Sequence, residues 1–289
     1  MRPASFEYVR PPSTAEACRA LADGGTALAG GQSLLPLLKL RAVRPALVVD
    51  LNRITELQGI GNGEATELAI GAMTRHQHVA DDPVVASAVP LLAEAARRTG
   101  DMQVRARGTI GGNVCFADPR ANMSTALVAL GAVAVVERTA GSRQVPVAEM
   151  FSDTRVSALR PGELLTRLHV PLGAGADRGV YLEFAPQPNG VPIVNVAVVP
   201  GDGELAGPRI AVGGLLRTTC RATQVEKAVR LEGATSAAIR RGIEGLLADH
   251  EGYADPRGDT AYRARLASVL IGRGLERAAR GPRTTEREV

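Results

Sequence analysis

The chain has 289 residues, 45% hydrophobic and 22% charged, with a formal net charge of +4. That length supports two or three compact lobes with their own cores, and the composition is that of a soluble globular protein. No run approaches the roughly 18 apolar residues of a membrane span, and the three cysteines (Cys18, Cys115, Cys220) form no CxxC pair that could hold zinc or an iron–sulfur cluster.

From the N-terminus, "SFEYVRPPSTAEACRALADGG" reads as a short strand, a turn at Pro11-Pro12 and a helix capped by Ser13 or Thr14 that stops at Gly24-Gly25. "TALA" is a second strand and "GGQS" a turn. Ser33 is placed to cap the next helix, with Pro36 in its first turn, where a missing N–H costs little. Leu34, Leu35, Leu37, Leu38 and Leu40 leave that helix almost no polar face, so it is expected to be buried. "PALVVDLNRI" closes a βαβ-type lobe.

"ELAIGAMTRH" is strand-like, and "VVASAVPLLAEAARRTGDMQVR" is helical to about Gly100. "GTIGGNVCFADPRANMSTALVALGAVAVVER" repeats the earlier order: glycine turn, polar loop, apolar helix and a strand at 133–137. "ELLTRLHVP" is a further strand, and the small, flexible "LGAGADRG" at 172–179 marks a lobe boundary. Strands then fall near 180–184, 194–199 and 209–212, followed by three helical periods in "TQVEKAVRL", "SAAIRRGIEGLLADH" and "AYRARLASVLIGRGLERAAR". The basic residues from Arg263 to Arg287 alternate with Glu and Ala and read as a solvated helix face, not a nucleic-acid patch. "GPRTTEREV" reads as a frayed tail.

The two glycine pairs carry the chemistry. Gly30-Gly31 and Gly111-Gly112 each precede a polar residue and then an apolar helix. Glycine lets main chain approach a bulky ligand and permits positive φ, so that successive N–H groups can converge on an anion. Ser33 and Asn113 add side-chain donors. The nucleotide signatures GxxxxGK[ST] and GxGxxG are absent, and one glycine pair alone is most often an ordinary turn. Two loops of one grammar in two lobes point to a single elongated ligand between them.

"AGGQSLLPLLKLR" and "TIGGNVCFADPRAN" resemble the two flavin-binding signatures of the FAD-binding medium subunits of molybdenum hydroxylases, the carbon monoxide dehydrogenase and xanthine dehydrogenase group. "FEYVRPPSTAEA", "LVVDLNRI", "LAIGAMTRH", "PGELLTRLHVP" and the C-terminal "DPRGDTAYRARLASVLIGRGLERA" extend the resemblance over nearly the whole chain. It implies an α+β fold: a two-lobed FAD-binding domain of PCMH/VAO type (1–54 and 55–175), a small antiparallel sheet with three helices (176–282) and a tail (283–289). FAD is the implied cofactor. Ala29, Gly30, Gly31, Gln32, Ser33 and Leu34 would surround its diphosphate, and Thr109, Ile110, Gly111, Gly112 and Asn113 would form a second wall. Asp118 falls in the second loop, either at the ligand or in an Asx turn before Pro119.

The implied function is an oxidoreductase subunit that passes electrons from the clusters of an iron–sulfur subunit, in a complex with a molybdopterin subunit, to NAD, a quinone or oxygen. Scattered cysteines suit a cytoplasmic setting. Two positions depart from the family pattern. Asn122 stands where members commonly have an acid, so restoring a carboxylate there should tighten flavin binding. "APQPNGVPIVNVAVV" lacks the usual basic stretch. The alternatives are a stand-alone FAD-dependent oxidoreductase and a flavin-free binding or assembly protein. His76 and His78 lack a third ligand and read as turn or surface residues, and Cys115 as an inert small side chain.

Overall fold

The computed structural model describes residues 2–63, 66–187, 189–201 and 207–280; the expected tail lies outside them. The first unit comprises β1 (Glu7–Val9), α1 (Thr14–Ala22), β2 (Thr26–Leu28), α2 (Leu34–Lys39) and β3 (Leu47–Asp50). β1 and β2 both pair in parallel with β3, with Tyr8 opposite Val48 and Ala27 opposite Val49. Ser13 caps α1 by accepting the N–H of Glu16. The β2–α2 turn thereby falls at the C-terminal end of a parallel sheet, where open α/β sheets place ligands.

The expectation for α2 fails in two respects. Ser33 makes no capping bond, and of the leucines only Leu38 is buried, while Leu35 and Leu40 are 43% and 64% exposed. The physical reason is location: one flank of α2, with Leu34 and Leu37, faces a cavity, and the other faces solvent.

The second unit holds β4 (Ile60–Asn62), β5 (Glu67–Gly71), α3 (His76–Asp81), α4 (Pro83–Ala88), α5 (Pro90–Arg97), α6 (Met102–Arg107), α7 (Ile110–Phe116), α8 (Asn122–Leu130), β6 (Val133–Arg138), β7 (Gly141–Pro146), the β8–β9 hairpin (Phe151–Asp153, Val156–Ser157) and β10 (Leu164–Pro171). Its antiparallel sheet runs β4-β5-β10-β6-β7. The helical stretch expected as one piece to Gly100 is two helices, α4 and α5. Pro83 and Pro90 each open a new helix, because proline lacks an N–H and clashes with the preceding turn. Asp101 then caps α6 through Val104 N–H.

The third unit pairs β11 (Val180–Phe184), β12 (Val194–Val199), β13 (Arg209–Gly213) and β14 (Cys220–Arg221) antiparallel, followed by α9 (Thr223–Glu232), α10 (Ser236–Asp249) and α11 (Thr260–Arg280). All nine residues of α8 are buried, because α8 packs against α5 and also against β12 and β13. α11 covers the other face of β12, so all six β12 residues are buried. A strand covered on both faces reads as a continuous apolar run, and "VNVAVV" does so except for Asn195. Among the described residues no helix is long and apolar enough to cross a membrane.

Candidate functional site

A cavity of about 790 Å³ lies where the three units meet, within the range of small-molecule and cofactor sites. It is lined by the β2–α2 loop, by α7 and its flanks, by the 99–108 segment and by the 189–192 loop. Of the residues drawn from the sequence, Ala29, Gly30, Gly31, Gln32, Ser33, Leu34, Thr109, Gly111, Gly112, Asn113, Asp118 and Asn122 all line it, whereas Ile110 does not and is fully buried.

The two loops differ in what they offer. Gly31 has φ +78°, a left-handed conformation that favours glycine. No acceptor among the described residues takes the N–H of Gly30, Gly31 or Gln32. These are the free donors an anionic ligand requires. In the second loop the N–H groups are already committed: Ile110 to Thr74 O, Gly111 to Ala72 O, Asn113 to Thr109 O and Gly112 to the Thr109 hydroxyl. Gly111 and Gly112 lie in the first turn of α7, not in a turn ahead of a helix. This loop therefore contributes shape and side chains, and the expected backbone donors belong to the first loop alone.

The loops are held in register by a relay that the sequence did not disclose. A Cβ on Gly30 would strike the carbonyl of Arg107, so lobe one sits directly on the 107–108 backbone. Asn52 donates to Ala29 O at 3.0 Å and accepts from Arg75 at 2.6 Å, and Arg75 also donates to Arg107 O. Asp50 orients Asn52 and is itself bonded by Tyr8 and Arg10. Arg75 thus clasps both lobes at once. Arg75 lies within "LAIGAMTRH", one of the stretches that carry the resemblance, but nothing local assigns it this role, because its partners are distant along the chain.

Asp118 forms the Asx turn, accepting Arg120 N–H at 3.0 Å, and also pairs with Arg120 and Arg155. Burial works to raise its carboxyl, but the Arg120 hydrogen bonds and the two guanidinium charges hold it below the ordinary carboxylate value. Arg120 continues to Asp255 at 3.1 Å. Arg263, read from sequence as part of a solvated face, is fully buried: it bonds Asp255, Ile193 O, Gly214 O and Gly258 O and stacks over Tyr253. Such burial is tolerable because every edge of the guanidinium is paired. With Arg257, which donates to Val191 O, Arg263 anchors the loop that lacks basic residues of its own.

His76, expected at a turn or surface, is 3% exposed and lines the cavity, with Nδ1 unpartnered. Burial, then Arg75 and Arg105, push its pKa down to about 4, so it is neutral near pH 7. His78 is exposed. Cys115 also lines the cavity, and burial pushes its thiol up to about 12, which suits the inert role. Asn122 donates to Glu183 at 2.9 Å. A carboxylate at position 122 would face that acid, so the expectation that Asn122→Asp tightens binding reverses. Among the described residues no cluster of His, Cys, Asp and Glu could hold a metal ion.

Residues 4–173 match the family described as the FAD binding domain in molybdopterin dehydrogenase, and residues 181–278 match the CO dehydrogenase flavoprotein C-terminal domain. The glyceraldehyde dehydrogenase medium chain of Sulfolobus acidocaldarius is 34% identical over 284 residues, covering 96% of this chain and 100% of that one. The carbon monoxide dehydrogenase medium chain of Hydrogenophaga pseudoflava is 33% identical over 283 residues, covering 96% and 98%. The solved carbon monoxide dehydrogenase of H. pseudoflava superposes with a TM-score of 0.89 at 34% identity, over 98% of this chain and 100% of that one. Quinoline 2-oxidoreductase from Pseudomonas putida 86 gives 0.87 at 30% identity, over 97% and 99%.

Proposed function

Since the chain belongs to the family of FAD-binding subunits of molybdenum hydroxylases, we propose that it passes electrons from iron–sulfur clusters on a separate chain, in a complex with a molybdopterin subunit, to NAD, a quinone or oxygen. FAD is its cofactor, and when bound it supplies the redox chemistry. The chain supplies binding, orientation and exclusion of water. The observation that carries the reading is the cavity itself: free Gly30, Gly31 and Gln32 N–H groups at one wall, apolar surface from Leu34, Leu37 and Phe116, and polar side chains Asn113 and Asn122 beyond. That set fits a diphosphate joined to a flat apolar ring system. In this reading the loop set Ala29–Leu34 holds the diphosphate, Thr109, Gly111, Gly112 and Asn113 with Asn122 flank the flavin half while Ile110 packs behind them, and Asp118 holds the second loop's shape through Arg120. The two-lobed domain is of PCMH type, divided near residue 54 and ending near residue 175.

The test is direct. Heat release and chromatography of the cofactor from purified protein should yield FAD, and FMN or no flavin would overturn the reading. Affinity purification from the native host should bring down an iron–sulfur chain and a molybdopterin chain. A flavin-loaded chain that copurifies with neither and turns over a small molecule alone would establish a stand-alone oxidoreductase instead.

A further inference from the structure

Glu183, near the end of β11, belongs to none of the motifs above, yet it lies one side chain behind the cavity. Its carboxylate is 8% exposed and accepts from Asn122 Nδ2 at 2.9 Å and from Tyr181 Oη at 3.2 Å. Arg98 stands 4.0 Å away, and Glu94 is the other charged group that faces it from α5. Asn122, on the first turn of α8, is 5% exposed, and the cavity is what it lines. An ionised carboxylate only accepts hydrogen bonds. It therefore dictates which end of the Asn122 amide faces it: the NH₂ is consumed, and Oδ1, which accepts nothing among the described residues, is left for a ligand.

We infer that Glu183 is a positioning residue for the cofactor site, locking Asn122 so that its carbonyl oxygen is presented to a hydroxyl of bound flavin. The inference rests on FAD occupying this cavity. It explains how a chain with an amide at position 122 keeps an acceptor there, since the negative charge sits one residue removed, on Glu183. Burial raises the Glu183 carboxyl above the ordinary value, against the opposing pull of Tyr181, Arg98 and Asn122. Its protonation thus falls at higher pH than that of Asp118, which is lowered, or of His76 at about 4. A protonated carboxyl both donates and accepts, and no longer fixes the amide.

The experiment is FAD titration of the apo-protein from neutral to acidic pH, for wild type, Glu183→Gln, Asn122→Asp and the double variant, with far-UV circular dichroism on each. Wild-type affinity should fall on acidification by about fivefold, the worth of one hydrogen bond, and Glu183→Gln should lose that dependence. Asn122→Asp sets two carboxylates against each other and should weaken binding by about tenfold. Adding Glu183→Gln should restore it, because the new amide can donate to Asp. A flat wild-type profile, tight binding by Asn122→Asp, or no rescue in the double variant would each overturn the inference while FAD binding stands. A wild type that takes no FAD at any pH would overturn the proposed function and this inference together. Should Asn122→Asp not fold, the wild-type profile against Glu183→Gln decides alone.

Discussion

At Gly111 the chain has no room for a side chain. A Cβ there would lie 2.6 Å from Ala72 Cβ and 2.7 Å from Ala72 O, while its own N–H bonds that same carbonyl at 2.9 Å. Its φ is not positive, so the need for glycine comes from packing between α7 and the end of β5, not from backbone freedom or from a ligand. Overpacking of this kind costs about 1–3 kcal/mol, occasionally more, and the neighbour is backbone that cannot swing aside. Gly111→Ala should therefore lower the urea midpoint of the flavin-free protein, and Gly111→Val should lower it further or prevent folding. An unchanged midpoint with lost flavin would show that Gly111 meets the cofactor instead. Arg263 is the other residue-scale test. Arg263→Met keeps the stem but strips Ile193 O and Gly214 O of their donor and Asp255 of one of its guanidinium partners, which also include Arg120 and Arg257. Breaking one partner of a buried pair costs about 3–5 kcal/mol, so this variant should show a large fall in midpoint, whereas exchange of a truly solvated arginine would leave it in place.

Two of the elements that face each other across the cavity are joined through one guanidinium. Arg75 reaches Asn52, behind the β2–α2 loop, and Arg107, ahead of α7, which needs a planar fork with donors on separate nitrogens. Lysine is a point charge on a flexible stem and cannot reproduce that geometry. Arg75→Lys should weaken FAD binding by about tenfold, equal to roughly 1.4 kcal/mol of lost preorganisation, with little change in circular dichroism. Unaltered affinity in a flavin titration would dismiss the clasp. The elements themselves were largely legible: alternation and caps located β1, α1, β5, β10 and the three C-terminal helices, and the glycine pairs marked the cavity walls. Three features were not. A leucine run such as that of α2 reads as buried, because it cannot say whether its apolar face meets protein, ligand or solvent. The α4–α5 break was hidden because helical periodicity runs through Pro90. His76 reads from sequence as a turn or surface residue, and Arg75 and Glu183 carry no assigned role there, because their surroundings arise from contacts between distant segments, such as residues 75 with 107 or 122 with 183, for which local pattern carries no signal.

The whole molecule presents a ligand cavity whose walls come from all three units, so the bound state is also a clamp on their mutual packing. Two acids that bridge the units behave alike. Asp118 and Asp255 are both held below the ordinary carboxylate value despite burial, Asp118 by Arg120 and Arg155, Asp255 by Arg257 and Arg263. A lowered acid stabilises the fold above its unfolded pKa and withdraws that stabilisation as pH falls through its folded pKa. These two acids should thus cost the flavin-free protein stability below about pH 4, beyond the loss that begins below the ordinary histidine value because buried His76 stays neutral only in the fold. Asp255→Asn should flatten the lower part of that slope in acid titrations followed by circular dichroism. Flavin adds a concentration-dependent contribution. A ligand that binds only the native state stabilises by about 2.7 kcal/mol at one hundred times its dissociation constant. For a chain of this size each kcal/mol raises the melting temperature by roughly 2–4 °C, so saturating FAD should raise it by roughly 5–10 °C. FMN lacks the adenylate half and cannot occupy both loops from one end of the cavity to the other, so it should give a distinctly smaller shift at equal concentration. Equal shifts from FMN and FAD in a thermal melt would mean that the ligand occupies one lobe only, and that the two glycine loops do not serve a single elongated molecule.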